Sequence, residues 1–173
     1  NTTPEPDGVV ALAVFDDAVH AGAFNQLVQS QVAGLGEMLD ADRGEQLEGD
    51  LLIATGKTAG DASPTPMEPL RGGDGAVGVH TGLSGVDPRE VAAVVEARCL
   101  PLILNLDGFL GYLWFPIEGG FVAVSLFDAE ASALASNEAA REWAAEYLAD
   151  YTDGNPAIYN ANIVYANFPV LGA

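Results

Sequence analysis

The sequence has few histidines and cysteines, the residues that most often act as imidazole bases, thiol nucleophiles or soft metal ligands. The chain has two histidines, His20 and His80, and one cysteine, Cys99. One cysteine forms neither an internal disulfide nor a cysteine-rich metal site, and no His, Asp and Glu residues have metal-ligand spacing. His80 alternates with Val77 and Val79 in "VGVHTGL", which predicts a partly buried histidine on a strand, with a general base or ligand as the alternative. His20 has the same two interpretations, and Cys99, in "VVEARCLPLIL", is predicted to be a buried structural thiol rather than a nucleophile.

One segment, "GDLLIATGKT" (49–58), ends like a phosphate-binding loop. The motif needs a glycine five residues before Gly56, and that position is Leu51. Proline and glycine follow the segment, so a helix is not predicted after it. The sequence therefore does not predict nucleotide binding.

The charge balance is the strongest signal in the composition. The 173 residues include 25 Asp and Glu but only 6 Lys and Arg, which gives a net charge of −19. A basic patch for nucleic-acid phosphates cannot be assembled from so few cations. Hydrophobic residues make up 49% of the chain, enough for a core, but no apolar run is long enough to span a membrane.

The acidic residues are also arranged in a pattern. Glu138, Glu142, Glu146 and Asp150 follow each other at i, i+4, and Lys57 is the sole lysine. Such a stripe is repulsive in dilute buffer, by about 0.2–0.5 kcal/mol per neighbouring pair, and is screened at molar salt. We therefore expect a protein from an extreme halophile, most simply a haloarchaeon, with an ordinary acidic surface as the alternative.

The opening "NTTPEPDG" (1–8) bears on localisation. It carries a glycosylation sequon at Asn1 and does not begin with Met, which favours an exported or extracellular protein, although a cloning boundary gives the same appearance. A cytoplasmic protein of a halophile that accumulates salt is the alternative.

The second half of the chain has clear element signals. Asp87 is a predicted N-cap, Pro88 the first helical residue and Glu90 the partner in a capping box, while Pro101 is expected to end or kink this helix. Strands are predicted at 76–83, 107–117, 121–127 and 155–168, and a long helix from about 129 to 151, its apolar face formed by Ala133, Ala140, Trp143, Tyr147 and Tyr151. The order β-α-β-β-α-β predicts an α+β fold of the ferredoxin-like type.

The first half repeats part of this pattern. Residues 8–25, "GVVALAVFDDAVHAGAFN", align without gaps to 120–137, "GFVAVSLFDAEASALASN", so that Phe15 matches Phe127 and Asp16 matches Asp128. We interpret 8–58 as a partial ferredoxin-like repeat (strand, helix, strand) in which Asp16 and Asp128 each cap a helix. Two Ala-rich joins that match by chance are the alternative. The organisation is then a tail (1–7), the partial repeat (8–58), a Pro/Gly linker (59–75), the main domain (76–168) and a second tail (169–173).

Residues 76–168 resemble the antibiotic-biosynthesis-monooxygenase-type (ABM) domain of the dimeric α+β barrel superfamily. The resemblance lies in a helix ending in Leu-Pro, Gly-Phe opening a strand, a Gly turn, a strand ending in Phe-Asp, and a helix with Ser, Asn and a later Trp. These positions are Pro101, Gly108, Phe109, Gly120, Phe127, Asp128, Ser136, Asn137 and Trp143. The resemblance implies two paired ferredoxin-like units, with a cavity between each sheet and its helices.

The resemblance also implies chemistry. The family includes cofactor-free quinone-forming monooxygenases, which place substrate and dioxygen with Asn, Trp and Tyr side chains, and heme-degrading enzymes. The residues here that could line such a pocket are His80, Asn105, Tyr112, Trp114, Tyr159 and Asn162. No histidine lies on the second helix of the main domain, so heme is not expected, and neither is any other cofactor.

Two functional hypotheses remain open, and the residues do not decide whether the chain is an enzyme. The first is an ABM-like protein that binds a small apolar or aromatic molecule, as a cofactor-free monooxygenase or as a binder. The second is a non-enzymatic exported or surface protein that uses the fold for self-assembly. In both cases the N-terminal half-unit is expected to cover the main sheet, within one chain as a pseudo-dimer or between chains of a homodimer.

Overall fold

The chain divides into two units, Asn1–Leu47 and Glu48–Ala173. A computed structural model describes residues 12–15, 17–27, 47, 49–56, 73–83, 85–149, 151 and 156–162. For residues 161 and 162 it describes the backbone alone. The predicted linker (59–75) falls mostly outside these residues, and its last residues already belong to a strand that begins at Asp74.

Within the first unit, residues 18–27 form helix α1. Asp17 caps this helix, because its side chain accepts a 2.8 Å hydrogen bond from the backbone N–H of His20 and lies 3.0 Å from the His20 Nδ1 atom. The predicted cap, Asp16, lies outside the described residues. Residues 12–15 are not in a strand, and the rest of the strand predicted at 8–15 also lies outside the description.

The second unit is built on a five-stranded sheet, so the predicted α+β class is confirmed. Its strands are β1 (Ile53–Gly56), β2 (Asp74–Thr81), β3 (Phe109–Ile117), β4 (Gly120–Phe127) and β5 (Ala157–Asn162). Their order across the sheet is β1-β3-β4-β2-β5, and every neighbouring pair is antiparallel. The strand predicted at the end of the partial repeat, β1, therefore joins the main sheet within the chain by pairing with β3.

The β3–β4 hairpin closes where the sequence predicts it. Glu118 and Gly119 form the turn, and Gly119 has a φ of 69°, which a glycine adopts without strain. The next residue, Gly120, pairs with Thr81, and a Cβ atom there would run into the backbone carbonyl of His80. Glycine at 120 thus allows β2 and β4 to approach closely beside His80.

The first helical segment contains an irregularity that the sequence did not reveal. Helix α2 (Pro88–Val94) runs into a π-helical turn (Val95–Cys99) and then into α3 (Leu100–Leu104). The helix therefore does not end at Pro101. In a regular α-helix the Pro101 ring would clash with the carbonyl of Ala97, and the wider π-helical turn just before it accommodates the proline. At the other end Asp87 caps the segment as predicted, accepting a 2.9 Å bond from the backbone N–H of Arg89.

Helix α4 (Glu130–Tyr147) begins differently from the prediction. Its N-cap is Ala129, which makes no side-chain capping bond, so the expected role of Asp128 as a cap is wrong. The Asp128 carboxylate lies against Gly108 instead, and the Asp128 N–H donates a 2.8 Å hydrogen bond to the Gly108 carbonyl. Asp128 therefore joins the end of β4 to the turn before β3.

The core lies between the sheet and the two helical segments. Its most deeply buried large side chains are Trp114, Phe121, Phe127, Ile103 and Leu148, and α4 contributes Ala133, Ser136 and Trp143. The opposite side of the sheet is also buried, at Leu113, Phe115, Val122 and Val124. On the outer face of α4, Glu138, Glu142 and Glu146 are exposed, as the acidic stripe predicts, while Asp150 lies outside the described residues.

Candidate functional site

A cavity of about 50 Å³ lies between the sheet and the helices of the second unit. The sheet contributes alternate residues, because side chains of a strand point to opposite faces in turn. From β2, β3 and β4 these are Ala76, Gly78, His80, Tyr112, Trp114, Phe121, Ala123 and Ser125. The helices complete the lining with Val95, Cys99, Ile103, Ser136, Asn137, Ala140, Arg141 and Trp143, and Pro156 and Ile158 close it beside β5.

Three rings form a continuous aromatic wall on the sheet. The His80 imidazole stacks on Phe121 with ring centroids 4.2 Å apart and an interplanar angle of 16°. The Trp114 ring lies on Phe121 as well, at 5.1 Å and 32°. Since His80 and Phe121 are also register partners of β2 and β4, the stack follows directly from the strand pairing.

Three titratable groups of the cavity, on His80, Cys99 and Tyr112, are held in their neutral forms. Burial lowers the pKa of His80 from 6.5 to about 4, so its imidazole is uncharged at neutral pH. Burial also raises the pKa of the Cys99 thiol to about 12. For Tyr112, burial first and the neighbouring Cys99 second raise the pKa well above its usual value. The thiol and the phenol therefore remain protonated, and both are hydrogen-bond donors.

Two further donors are the tryptophan indoles. Trp114 is fully buried and Trp143 is 5% exposed. Among the described residues, no group accepts a hydrogen bond from either Nε1–H. Buried donors without an acceptor are uncommon in folded proteins, and here both belong to side chains that line one cavity.

The hydroxyl and amide groups near α4 are, by contrast, engaged with each other. Ser136 Oγ donates to the Ala133 carbonyl at 2.8 Å, so in the 3.3 Å contact between Ser125 Oγ and Ser136 Oγ the donor is Ser125. Asn137 Nδ2 donates a 2.6 Å bond to Asn160 Oδ1 and ties α4 to β5. These bonds fix the helix wall of the cavity relative to the sheet.

Formal charge is confined to one point of the lining. Arg141 is half exposed, and its guanidinium donates a 3.0 Å bond to Glu138, which does not line the cavity. Among the described lining residues there is no Asp or Glu, although the chain has 25 of them. The cavity is thus neutral and rich in donors, with one cation at its border.

The structure brings three of the six candidate residues together. His80, Tyr112 and Trp114 line the cavity. Asn105 does not, because it follows α3 and its Nδ2 donates a 2.7 Å bond to the Pro101 carbonyl at the end of that helix. Tyr159 is 46% exposed, whereas its neighbour Ile158 lines the cavity, and the side chain of Asn162 lies outside the description.

Several lining residues were not among the sequence candidates. Cys99 and Trp143 were predicted to be buried, which is confirmed, but their common cavity was not foreseen. Ser136, Asn137, Ala140 and Arg141 share one face of α4 at helical spacing. One sequence feature could have identified them: two polar residues, Ser136 and Asn137, lie on the same face of the helix as Ala133 and Trp143.

The described residues contain neither a metal-binding cluster nor a membrane-spanning helix. Within the part of the chain that the structure describes, no three His, Cys, Asp or Glu residues are grouped closely enough to hold a metal ion. None of the described helices combines the length and apolar composition needed to cross a membrane. In comparisons with known proteins, no protein-family model and no curated protein matched the chain.

Proposed function

We propose that residues 76–168 form an ABM-like domain with a ferredoxin-like β-α-β-β-α-β unit. The support is the topology of the second unit. Its four later strands stand in the order β3-β4-β2-β5, and the segment Pro88–Leu104 and helix α4 both contribute to one cavity on one side of the sheet. In this proposal β1 is an additional edge strand next to β3.

The proposed activity is the binding of a small apolar or aromatic molecule in the cavity, and the observation that carries it is the cavity itself. Its wall is aromatic, and the imidazole, thiol and phenol of its lining are neutral. This combination of apolar walls with a few polar groups is typical of small-molecule sites. The self-assembly alternative predicts that side chains fill this space. The space is not filled, and this is a reason to prefer ligand binding.

The size of the cavity constrains the ligand. A volume of about 50 Å³ corresponds to about four water molecules at ~10–15 Å³ each. A benzene ring needs more room, so an aromatic ligand enters only if α4 and the sheet separate. A tetrapyrrole is far larger still, and its binding is not part of the proposal.

A cofactor-free monooxygenase is the specific reaction we propose for such a ligand. Conversion of a phenol to a quinone takes up one O₂, places one oxygen atom on the ring as a carbonyl and releases the other as water. The two hydrogens of that water come from the hydroxyl group and the ring C–H bond. Among the lining residues, the Tyr112 hydroxyl is a donor for an oxygen atom of the ligand. His80 is uncharged, but with a pKa of about 4 it is too weak a base to remove the hydroxyl proton.

We also propose that the protein is adapted to high salt. The exposed carboxylates of Glu138, Glu142 and Glu146 on α4 and the net charge of −19 support this proposal. Their mutual repulsion weakens as ionic strength rises, because the Debye length falls to about 3 Å at 1 M salt.

Ligand binding is tested with a variant that narrows the cavity. Ala123 lines it on β4, so Ala123→Val adds two methyl groups to the lining, and Ala157→Val makes the same change at an exposed position of β5. Native mass spectrometry and thermal shift with a panel of hydroxylated aromatics should detect binding to wild type and Ala157→Val but not to Ala123→Val. An oxygen electrode then shows whether a bound phenol is oxidised. Equal binding by all three proteins, or by none, would contradict the proposed site.

A further inference from the structure

The imidazole of His80 lines the cavity without a hydrogen-bond partner among the described residues. The ring stacks on Phe121 at a centroid distance of 4.2 Å, and His80 is only 9% exposed. Buried polar groups are nearly always hydrogen-bonded in folded proteins, because an unpaired group has lost its bonds to water. The described part of the fold therefore leaves the polar edge of this ring available to a ligand.

The position of Nε2 shows where such a ligand would make its contact. Gly78 precedes His80 by two residues on β2, so both face the same side of the sheet, and both line the cavity. A Cβ atom on Gly78 would lie 3.6 Å from His80 Nε2, which is the nearest atom that it would meet. Because Gly78 has no side chain, the space beside Nε2 is open. The described polar atoms that are both unpaired and closed to solvent are the indole Nε1 atoms of Trp114 and Trp143, and the imidazole nitrogens are not among them.

The chemistry of the lining favours a neutral hydroxyl group as the partner of Nε2. Burial lowers the pKa of His80 to about 4, so at neutral pH one ring nitrogen donates a hydrogen bond and the other accepts one. A hydroxyl group both donates and accepts, and it can therefore bond to Nε2 in either tautomer. A carboxylate or an ammonium group would give up its hydration for a lining that, among the described residues, carries charge only on Arg141 at its border.

We propose that His80 determines the specificity of the cavity by forming a hydrogen bond through Nε2 to a hydroxyl group of the ligand, in the space that Gly78 leaves open. This inference rests on the small-molecule binding proposed above and names its substrate class, neutral hydroxylated molecules. His80 acts in binding and not in proton transfer, because a weakly basic nitrogen still accepts a hydrogen bond. An analogue without the hydroxyl group leaves Nε2 unpaired and binds more weakly.

Phenol and fluorobenzene are the matched ligands for the test, since fluorine replaces the hydroxyl group with little change in shape. The full chain has two histidines and two tryptophans, so ¹⁵N labelling of these side chains gives few signals. The indole signals of Trp114 and Trp143, whose side chains line the cavity, report that a ligand has entered. We expect both ligands to shift the indole signals, phenol to shift the His80 Nε2 signal much further than fluorobenzene does, and the His20 signals to stay unchanged.

Two variants separate the hydrogen bond from the packing of the ring. His80→Phe keeps a ring beside Phe121 and should raise the Kd of phenol by about fivefold or more, with no change for fluorobenzene, because one hydrogen bond is lost. Gly78→Ala keeps the histidine but fills the space beside Nε2, and should abolish the phenol-induced shift of that nitrogen. Gly22→Ala, on α1, adds a Cβ atom that meets nothing within 4 Å and is the matched control, which should behave as wild type.

The results distinguish this inference from the function on which it rests. Equal Kd values of phenol and fluorobenzene for the wild type, or an unchanged preference for phenol in His80→Phe, would overturn hydroxyl recognition and leave ligand binding in place. If neither ligand moves an indole signal, nothing enters the cavity and both proposals fail. If circular dichroism shows that His80→Phe is misfolded, Gly78→Ala decides, because a full shift of Nε2 in that variant would refute the contact.

Discussion

Protonation of His80 should destabilise the fold in a defined pH range. The imidazole is 9% exposed, stacked on Phe121 and, among the described residues, accepts no hydrogen bond. Its pKa is 6.5 in the unfolded chain and about 4 in the folded one, because burial disfavours the charged form. Between these values the unfolded state binds more protons than the folded state. The free energy of unfolding therefore falls as the pH is lowered from 6.5 to about 4.

The size of the effect follows from the two pKa values. At about 1.36 kcal/mol for each pH unit, the interval from 6.5 to about 4 corresponds to about 3 kcal/mol. The other titratable groups of the described cavity lining do not titrate in this range, since Cys99 and Tyr112 have raised pKa values and the Arg141 guanidinium stays charged. A loss of about 3 kcal/mol is a large part of the stability of an ordinary domain.

The measurement is urea unfolding at a series of pH values in molar salt. Carboxylates also titrate near the lower end of this range, so the informative quantity is the difference between wild type and His80→Phe, in which that contribution cancels. Phe keeps an aromatic ring beside Phe121, and a change in packing alters the absolute stability but not the slope with pH. Leu134→Phe, at an exposed position of α4, is a control that changes no titratable group and should retain the wild-type slope. Parallel pH profiles for wild type and His80→Phe would refute a buried neutral histidine at this position.

Three further predictions concern stability. Leu148→Ala, at a fully buried residue, should lower the free energy of unfolding by about 2–5 kcal/mol, whereas Leu134→Ala, at a residue 49% exposed, should change it by less than about 1 kcal/mol; equal effects in urea unfolding would contradict the core assignment. Asp87→Ala should cost about 1 kcal/mol by removing the cap of α2, and Asp87→Asn, which keeps an acceptor, should not. Raising NaCl from dilute buffer to molar concentration should increase the melting temperature, and a constant value would count against the salt adaptation attributed to the acidic stripe of α4.

Elements with local signals were predicted well from the sequence. The cap and first residue of α2, Asp87 and Pro88, are recognisable because an N-cap and a first-turn proline act on the residues next to them. The β3–β4 hairpin is recognisable for the same reason, since its turn and the two apolar runs are adjacent in the chain. The pairing of β1 with β3 is different, because nothing within residues 53–56 identifies a partner so far along the chain.

Asp128 and Pro101 show where local rules were overridden. Asp128 precedes a helix and has the right chemistry for a cap, but a turn distant in sequence brings Gly108 to it, and the Asp128 side chain lies there instead. Pro101 breaks a regular α-helix, but one π-helical turn removes the clash and the helix continues to Leu104. Both outcomes depend on packing between elements, which a reading of neighbouring residues cannot supply. The internal repeat of Phe15 and Phe127 stays a prediction.

The candidate site was predictable on the sheet and not on the helices. His80, Tyr112 and Trp114 lie on strands, where a period of two assigns a side chain to one face with little ambiguity. Asn105 was placed in the pocket for its residue type alone, although its position after a helix offers an amide a nearer partner in the last carbonyls. The polar groups of α4 were not predicted to line the site, because Ser136 and Asn137 have short side chains that fit the pattern of an Ala-rich helix.

Helix α4 separates the two properties on which the proposals depend. Its outer face presents Glu138, Glu142 and Glu146 to solvent, while its inner face presents Ser136 and Trp143 to a cavity whose described lining has no acid. Arg141 lies between the two faces and is bonded to Glu138. The guanidinium, the only cation of the described lining, therefore lies at the border between an acidic surface and a neutral interior. Salt weakens the repulsion outside far more than the hydrogen bonds inside, so a rise in ionic strength should stabilise α4 without weakening the bonds that Ser136 makes at the cavity.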